Sequence, residues 1–183
     1  MINSRALLVA ALQQYETTFE DESVFKNRFL SLLQFPGCFN RDFLPGHITG
    51  SCWIVDHTGT HVLLTLHAKL NRWLQPGGHA DGDENIYDVA LREAEEETGL
   101  KKLTPLQPDK IFDIDIHLIP ARKEMPDHDH YDIRFIFQAD KKEQIIISEE
   151  SHDLQWIPLE KLEDYTDNVS ILRMREKCKH YFN

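Results

Sequence analysis

The sequence REAEEETG, residues 92–99, ends an amphipathic helical pattern and brings three carboxylates together. On a helix, Glu93, Glu96 and Glu97 are separated by three, four and one residues, so they project toward one side of the helix. The macrodipole makes the C-terminal end of a helix negative, and like charges at these spacings repel each other. The cluster therefore costs stability unless a cation lies among the carboxylates, and Mg²⁺ prefers such oxygen ligands.

The residues around this cluster predict where the helix begins, ends and is buried. Asn85 is a suitable N-cap, and Gly99 suits the left-handed position that follows a helix. An apolar stripe at helical spacing predicts the buried face: Ile86, Val89, Ala90 and Ala94. The three carboxylates lie on the face opposite this stripe, apart from Ala94.

Strand patterns surround the helix on both sides. ITGSCWIVD (48–56) and HVLLTLH (61–67) flank a turn that contains Gly59, which is typical of a hairpin. KIFDIDIHLI (110–119) and YDIRFIFQAD (131–140) alternate apolar and polar residues, with a polar loop predicted between them. A strand that ends at Trp156 and two helices, at 158–165 and from 169 onward, complete the pattern. We predict an α/β or α+β fold with a mixed sheet and helices on its faces, and the sheet order stays open.

The first 46 residues have a different character. Residues 4–34 show helical spacing in two segments, which we expect EDES (20–23) to separate and FPG (35–37) to end. We therefore divide the chain into an N-terminal helical extension (1–46), packed on a second unit (47–183). The two helices cap a pocket or build a homodimer interface, and the sequence leaves both possibilities open.

Composition limits the class of function. The chain has 183 residues and a formal net charge of -11, which disfavours binding to nucleic acid or to an anionic membrane. Its three cysteines are far apart and form neither a disulfide framework nor a zinc pattern, so we expect a reducing cytoplasm. The apolar run at 6–12 has the minimum length of a signal-peptide core and lacks a cleavage site, and no run is long enough to span a bilayer.

The spacing of the charged residues carries the strongest functional signal. From Gly78 the sequence passes through five residues to Glu84, and through seven more to REAEEETGL at 92–100. This stretch resembles the Nudix box, G-x5-E-x7-R-E-U-x-E-E-x-G-U with U hydrophobic, at every defined position. Seven fixed residues match by chance on the order of 10⁻⁹ times per start site at background frequencies.

The resemblance implies an α/β/α sandwich with an N-terminal helical addition, and hydrolysis of a nucleoside diphosphate linked to another group, dependent on Mg²⁺ or Mn²⁺. It implies that Glu96 and Glu97 are the main metal ligands, and that Glu93 is a further ligand or a base beside them. The backbone carbonyl of Gly77 or Gly78 would complete the ligand set.

Two more acidic positions and one arginine take roles from the same resemblance. Arg92 and Glu84 would form a pair that locks the loop onto the helix and supports catalysis. A further catalytic acid often comes from a loop beyond the box, where this chain offers Glu149 and Glu150. We favour Glu150.

Other polar residues near the box are candidates for substrate contacts. His79 directly follows the two glycines, and Lys69 and Arg72 lie in the loop that leads to them, so each is positioned to reach a phosphate. Trp73 is a candidate for stacking on a base, although packing in the core is the simpler explanation. The histidines of DHDHYD (127–132) lack partners at metal-ligand spacing, so we interpret this segment as a loop that at most touches substrate.

Two other functions occur on the same fold. A sensor or scaffold binds a nucleotide derivative without turnover, and many such members have degenerate boxes. Isoprenoid diphosphate isomerases have an altered box and a catalytic cysteine, for which Cys52 would be the candidate here. The intact box favours hydrolysis over both, and the sequence leaves the identity of the nucleoside diphosphate derivative open.

Overall fold

The computed structural model describes residues 1–122 and 125–182. Within these residues the chain forms four α-helices, two short 3-10 helices and eight β-strands. The α-helices are α1 (Arg5–Gln14), α2 (Glu20–Leu32), α3 (Ile86–Thr98) and α4 (Val169–Cys178), and the 3-10 helices span Leu159–Asp164 and Lys179–Tyr181. The strands are β1 (Gly46–Asp56), β2 (His61–His67), β3 (Arg72–Leu74), β4 (Gly77–His79), β5 (Thr104–Pro105), β6 (Asp113–Ile119), β7 (His128–Ala139) and β8 (Ser151–Pro158).

The strands form one mixed sheet in which β1 is central. β1 pairs antiparallel with β2 and β4, and parallel with β7 along its whole length. β2 continues the sheet to β3 and β8, while β7 pairs with β5 and β6. Every residue of β1 is buried, because both faces of this part of the sheet are covered.

Alternate residues of the central strands enter two separate hydrophobic clusters. In β1, Ile54 packs into the cluster shared with α1, α2 and α3, whereas Trp53 and Val55 pack into the cluster shared with α4. In β2, Leu63 and Leu64 divide in the same way. This period of two is what a strand with both faces covered requires. The predicted α/β sandwich with helices on both faces is confirmed.

The N-terminal helical extension is present, but its predicted break is misplaced. The chain leaves helical geometry after α1 and re-enters it at Glu20, so EDES forms the first turn of α2. Acidic residues at that end stabilise a helix, because the partial charge of its N-terminus is positive. A charged cluster therefore marked a helix start rather than a boundary. α1 and α2 share one core with the sheet through residues such as Leu8, Leu12 and Phe29.

A network of buried charges joins α2, β6, β7 and α4. The Arg173 guanidinium donates to Asp113 at 2.9 Å and to the Ile114 carbonyl at 2.7 Å. Arg134 donates to Asp113 at 3.0 Å and to Asp132 at 2.8 Å. The remaining members are Glu22, Asp115 and Lys177. Each of these buried charges has a partner of opposite sign.

The loop predicted between the two longer strands is shorter than expected. β7 begins at His128, so the histidines of DHDHYD lie in a strand and not in a loop. Residues 123–124 of the predicted loop lie outside the described part of the chain. Among the described residues, no helix is long and apolar enough to cross a membrane.

Candidate active site

The helix that carries the carboxylates is fixed at both ends by its own sequence. The Asn85 side chain accepts a hydrogen bond from the Asp88 amide at 3.3 Å, which caps the N-terminus. Gly99 ends the helix with φ of 74°, and its amide donates to the Glu95 carbonyl at 2.9 Å. A residue with a Cβ is strained at that angle, so glycine ends α3 at this position. Both predicted caps are confirmed.

Glu97 is buried against β4. Its Oε1 accepts a hydrogen bond from the Gly77 amide at 3.0 Å, and the residue is only 9% exposed. Burial raises the pKa of Glu97 to about 7; the Gly77 hydrogen bond opposes the shift, and nearby carboxylates add to it. Glu97 is buried although its face of the helix lies opposite the apolar stripe, because β4 packs over the end of the helix.

The two glycines of β4 allow the strand to lie directly on this helix. A Cβ at Gly78 would lie 2.5 Å from the Glu93 carboxyl group, and a Cβ at Gly77 would lie 2.2 Å from the Ser51 Cβ. A side chain at Gly77 would meet the backbone of β1, and a side chain at Gly78 would displace the Glu93 carboxyl group. Burial also raises the pKa of Glu93, partly offset by Arg92. The backbone of β4 therefore lies close to two box carboxylates, Glu93 at Gly78 and Glu97 at the Gly77 amide.

Arg92 pairs differently from what the sequence predicted. Its guanidinium lies 2.8 Å from Glu93 and 3.5 Å from Glu96, and it donates to the His79 carbonyl at 3.4 Å. Among the described residues, Glu84 forms its ion pair with Arg5 of α1, at 2.7 Å, and none with Arg92. Arg92 thus contacts the helix and β4, while the N-terminal extension holds Glu84.

Glu150 lies close enough to the box carboxylates to affect their pKa values. Its charge contributes to the raised pKa values of Glu93 and Glu97. Its carbonyl accepts a hydrogen bond from the Ala68 amide at 2.9 Å, which holds the loop before β8 beside β2. Glu149 contributes to neither of these shifts among their main causes.

The charge balance of this cluster fits a bound divalent cation. Arg92 bridges Glu93 and Glu96, whereas Glu97 has no ion pair within the described residues. A buried carboxylate without a cation is costly, and it remains charged near neutral pH only if a positive ligand stabilises it. Carboxylate and carbonyl oxygens are the hard ligands that Mg²⁺ and Mn²⁺ prefer.

The match to a protein-family model identifies the family of this chain. The model of the NUDIX domain matches residues 46–176, which include the central sheet, the glycine pair and the acidic helix. The chain belongs to the Nudix family. With its box carboxylates intact, it is a Nudix pyrophosphohydrolase.

Solved structures of other Nudix proteins have the same fold. An Ap4A hydrolase from C. elegans, in a binary complex, is 19% identical, with 73% of this chain and 96% of that chain covered and a TM-score of 0.59. A NUDIX-family hydrolase from Clostridium perfringens is 25% identical, with 73% and 97% covered and a TM-score of 0.51. The NUDIX domain of Shewanella oneidensis NrtR, complexed with ADP ribose, is 18% identical, with 77% and 91% covered and a TM-score of 0.51. No curated protein sequence matches the chain.

The predicted phosphate contacts of this Nudix protein occupy different places. Lys69 lies in the turn after β2, where its amide donates to His67 Nδ1 at 3.2 Å. Arg72 is exposed at the start of β3 and lines a cavity of about 550 Å³ with Trp73 and Tyr165. The Trp73 ring stands edge-on to Tyr165, with centroids 5.8 Å apart. Trp73 therefore both packs against the core and borders a cavity.

A group of histidines that the sequence pattern did not predict lies beside the Nudix box. His79 turns toward His47 and His130, with ring centroids 5.3 Å and 5.0 Å away. Burial lowers the pKa of His47 to about 4 and that of His130 still further, so both rings are neutral at pH 7. The three residues are 32 and 51 positions apart in sequence, so no local spacing reveals them. The one signal was HDH, whose alternation also suits a strand.

The buried position of Cys52 argues against the isomerase alternative. Cys52 is fully buried, and its thiol donates to the Ala90 carbonyl at 3.0 Å. Burial raises its pKa well above the usual range, so it stays protonated. A catalytic cysteine needs access to substrate, which this side chain lacks.

Proposed function

We propose that this Nudix protein cleaves a diphosphate linkage in a nucleoside diphosphate derivative and depends on Mg²⁺, with Mn²⁺ as a substitute. The observation that carries the proposal is the buried carboxylate of Glu97, which accepts a hydrogen bond from the Gly77 amide and forms no ion pair with the described residues. A folded protein keeps such a group when a ligand compensates its charge.

The proposed metal ligands are the carboxylates of Glu93, Glu96 and Glu97, with the backbone carbonyl of Gly77 or Gly78. A divalent cation bound there neutralises phosphate charge and lowers the pKa of a bound water. The Gly77 amide orients Glu97 through its 3.0 Å hydrogen bond. The close approach of Gly78 to Glu93 leaves the latter carboxylate little freedom to turn away.

Proton transfer is assigned to residues around these ligands. Glu150 is proposed to accept the proton of the attacking water at its carboxylate, with Glu93 as the neighbouring acid. Arg92 holds Glu93 and Glu96 in position through contacts of 2.8 Å and 3.5 Å. Lys69, Arg72 and His79 remain the proposed phosphate contacts.

The proposed substrate is a small molecule that contains a nucleoside diphosphate. Similar structures were solved for an Ap4A hydrolase and for a NUDIX domain with ADP ribose, and both compounds contain an adenosine diphosphate unit. A net charge of -11 opposes contact with nucleic acid or an anionic membrane, so we propose neither as a partner. Three free, buried cysteines support a cytoplasmic location. A homodimer through α1 and α2 remains one proposed arrangement.

The test measures phosphate release, with a coupled phosphatase, across a panel of nucleoside diphosphate derivatives. The panel contains ADP-ribose, NADH, nucleotide sugars, diadenosine polyphosphates and nucleoside triphosphates, each with Mg²⁺ and with a chelator. Glu96→Gln is compared with Glu95→Gln, which lies on the same helix and faces Lys101 at 4.0 Å instead. We expect metal-dependent turnover of one class, lost in Glu96→Gln and retained in Glu95→Gln.

Two results would contradict the proposal. Turnover that is unaffected by the chelator would show that the carboxylates act without metal. Absence of turnover across the whole panel, with tight binding of one compound, would favour a nucleotide sensor.

A further inference from the structure

Five of the ten histidines gather at one place in the sheet, beside the Nudix box. Ring nitrogens of His47, His79 and His130 all lie within 4.8 Å of one another. His128 stacks on His47 with centroids 5.1 Å apart, and His117 stands edge-on to His130 at 5.5 Å. This arrangement is set by strand register, since His47 pairs with His130 across β1 and β7, and His79 pairs two residues further along β1.

The inner histidines have unused nitrogen atoms. His47 is 1% exposed, and neither of its ring nitrogens has a hydrogen-bond partner within the described residues. A polar interaction with the Phe43 backbone only partly opposes the effect of burial on the pKa of this ring. Nε2 of His130 is buried and equally without a partner. Leaving buried polar atoms unpaired lowers the stability of the fold, so a ligand that binds them adds stability.

The outer histidines have partners of their own. His128 Nδ1 lies 2.9 Å from the Pro126 carbonyl, and His117 Nδ1 lies 3.2 Å from Asp115. The outer rings thus differ from His47 and His130, whose buried nitrogens have no partner within the described residues, and His79 converges on these two. Neutral imidazoles bind zinc and other divalent transition metals, whereas Mg²⁺ prefers oxygen ligands.

We propose that His47, His79 and His130 bind a divalent transition-metal ion, with Zn²⁺ the best match, at a site distinct from the box carboxylates. Three imidazoles and one remaining position suit the four-coordinate geometry of zinc. Bound metal would tie β4 to β1 and β7 next to Gly78, and so stabilise the strand that carries the glycine pair. This role differs from the phosphate contact suggested by the position of His79, and the two can be separated by experiment.

The experiment titrates Co²⁺ into chelator-treated full-length protein and records the visible absorbance. The titration uses Glu97→Gln as background, so that the carboxylate site contributes little. We expect one equivalent of Co²⁺ to give the intense bands of four-coordinate cobalt, and Zn²⁺ to displace it. In the same background, His79→Gln should weaken Co²⁺ affinity at least tenfold, and exposed His57→Gln should leave it unchanged.

Three outcomes would overturn the proposal. The first is the absence of four-coordinate bands in a protein that unfolds cooperatively. The second is binding that survives both His79→Gln and His130→Gln, the latter included in case one variant folds poorly. The third is a raised KM for the diphosphate substrate in His79→Gln without any cobalt binding, which would make the cluster an anion contact. The first two results need no hydrolysis and are independent of whether Glu96→Gln abolishes it, so failure of this site and failure of the proposed function are distinguishable.

Discussion

Two acidic regions of this protein differ in how their buried carboxylates are stabilised. In the network between α2, β6 and α4, Asp113 receives hydrogen bonds from Arg173 at 2.9 Å and from Arg134 at 3.0 Å. On α3, Glu97 receives one hydrogen bond from the Gly77 amide and has no ion pair within the described residues. The difference separates carboxylates that ion pairs hold within the fold from a buried carboxylate without an ion pair among the described residues.

The pKa values of the two regions move in opposite directions. Burial would raise the pKa of Asp113, but ion pairs with Arg173, Arg134 and Lys177 outweigh it and the pKa falls below 3.8. Burial raises the pKa of Glu97 to about 7, and among the described residues only the hydrogen bond from the Gly77 amide opposes this shift. A buried acid with a raised pKa is therefore a better sign of a functional site than a buried acid as such.

The largest expected effect comes from breaking the buried ion-pair network that joins α2, β6, β7 and α4. Arg173→Gln removes the hydrogen bonds to Asp113 and to the Ile114 carbonyl, and leaves Asp113 buried with fewer cations. We expect the free energy of unfolding to fall by about 3–5 kcal/mol, measured by urea denaturation.

Arg175→Gln is the matched control for this variant. Arg175 lies two residues away on the same helix and pairs with exposed Glu163 at 2.9 Å. It should cost no more than about 1 kcal/mol. Equal losses in the two variants would show that the buried network adds no particular stability.

The second-largest expected effect concerns the box carboxylates of α3. Glu97→Gln removes a proposed metal ligand, so kcat/KM should fall by about a hundredfold or more. Without metal, the same variant should be at least as stable as the wild type, because a neutral amide is cheaper to bury than a carboxylate.

Melting curves with and without Mg²⁺ complete this comparison. The wild type should melt a few degrees higher with millimolar Mg²⁺, because the ion binds only the folded carboxylate cluster. That increase should shrink in Glu97→Gln. An equal increase in both proteins would place the bound ion somewhere else.

A smaller effect distinguishes the regions by pH. The folded protein holds a proton on Glu97 between its ordinary pKa of 4.5 and about 7, whereas the unfolded chain releases it. Stability of the metal-free wild type should therefore fall as pH rises through this window, by on the order of 1–3 kcal/mol relative to Glu97→Gln.

The buried ion-pair network around Asp113 should show the opposite dependence of stability on pH. The lowered pKa of Asp113 contributes stability above its ordinary value of 3.8, and this contribution is lost as pH falls through the acid range. Urea denaturation in chelator from pH 3 to pH 8 measures both slopes. Parallel curves for wild type and Glu97→Gln above pH 5 would contradict the raised pKa.

The smallest effect concerns the pair that joins the extension to the box. Arg5 and Glu84 are partly exposed and 2.7 Å apart. Glu84→Gln and Arg5→Gln should each cost at most about 1 kcal/mol, and the double variant should cost less than their sum. Full additivity in denaturation would show that the two side chains do not interact.

Much of the fold could be predicted from sequence because the signals are local. Asn85, the apolar stripe and Gly99 lie within one helix, and the hairpin signal lies within one turn, so neighbouring residues alone identify them. Local signals gave a wrong helix boundary at EDES, because acidic residues suit the start of a helix as well as a linker. The division of the chain at residues 46 and 47 stays a prediction.

The sequence by itself determined the acidic helix, the spacing of its carboxylates and hence the Nudix family, because helical geometry fixes which residues share a face. Only the tertiary structure decided that Glu97 is buried, that Glu84 pairs with Arg5, and that three distant histidines converge. These outcomes depend on which strands become neighbours and in which register. His47, His79 and His130 lie far apart in the sequence, so no local pattern predicts that they come together.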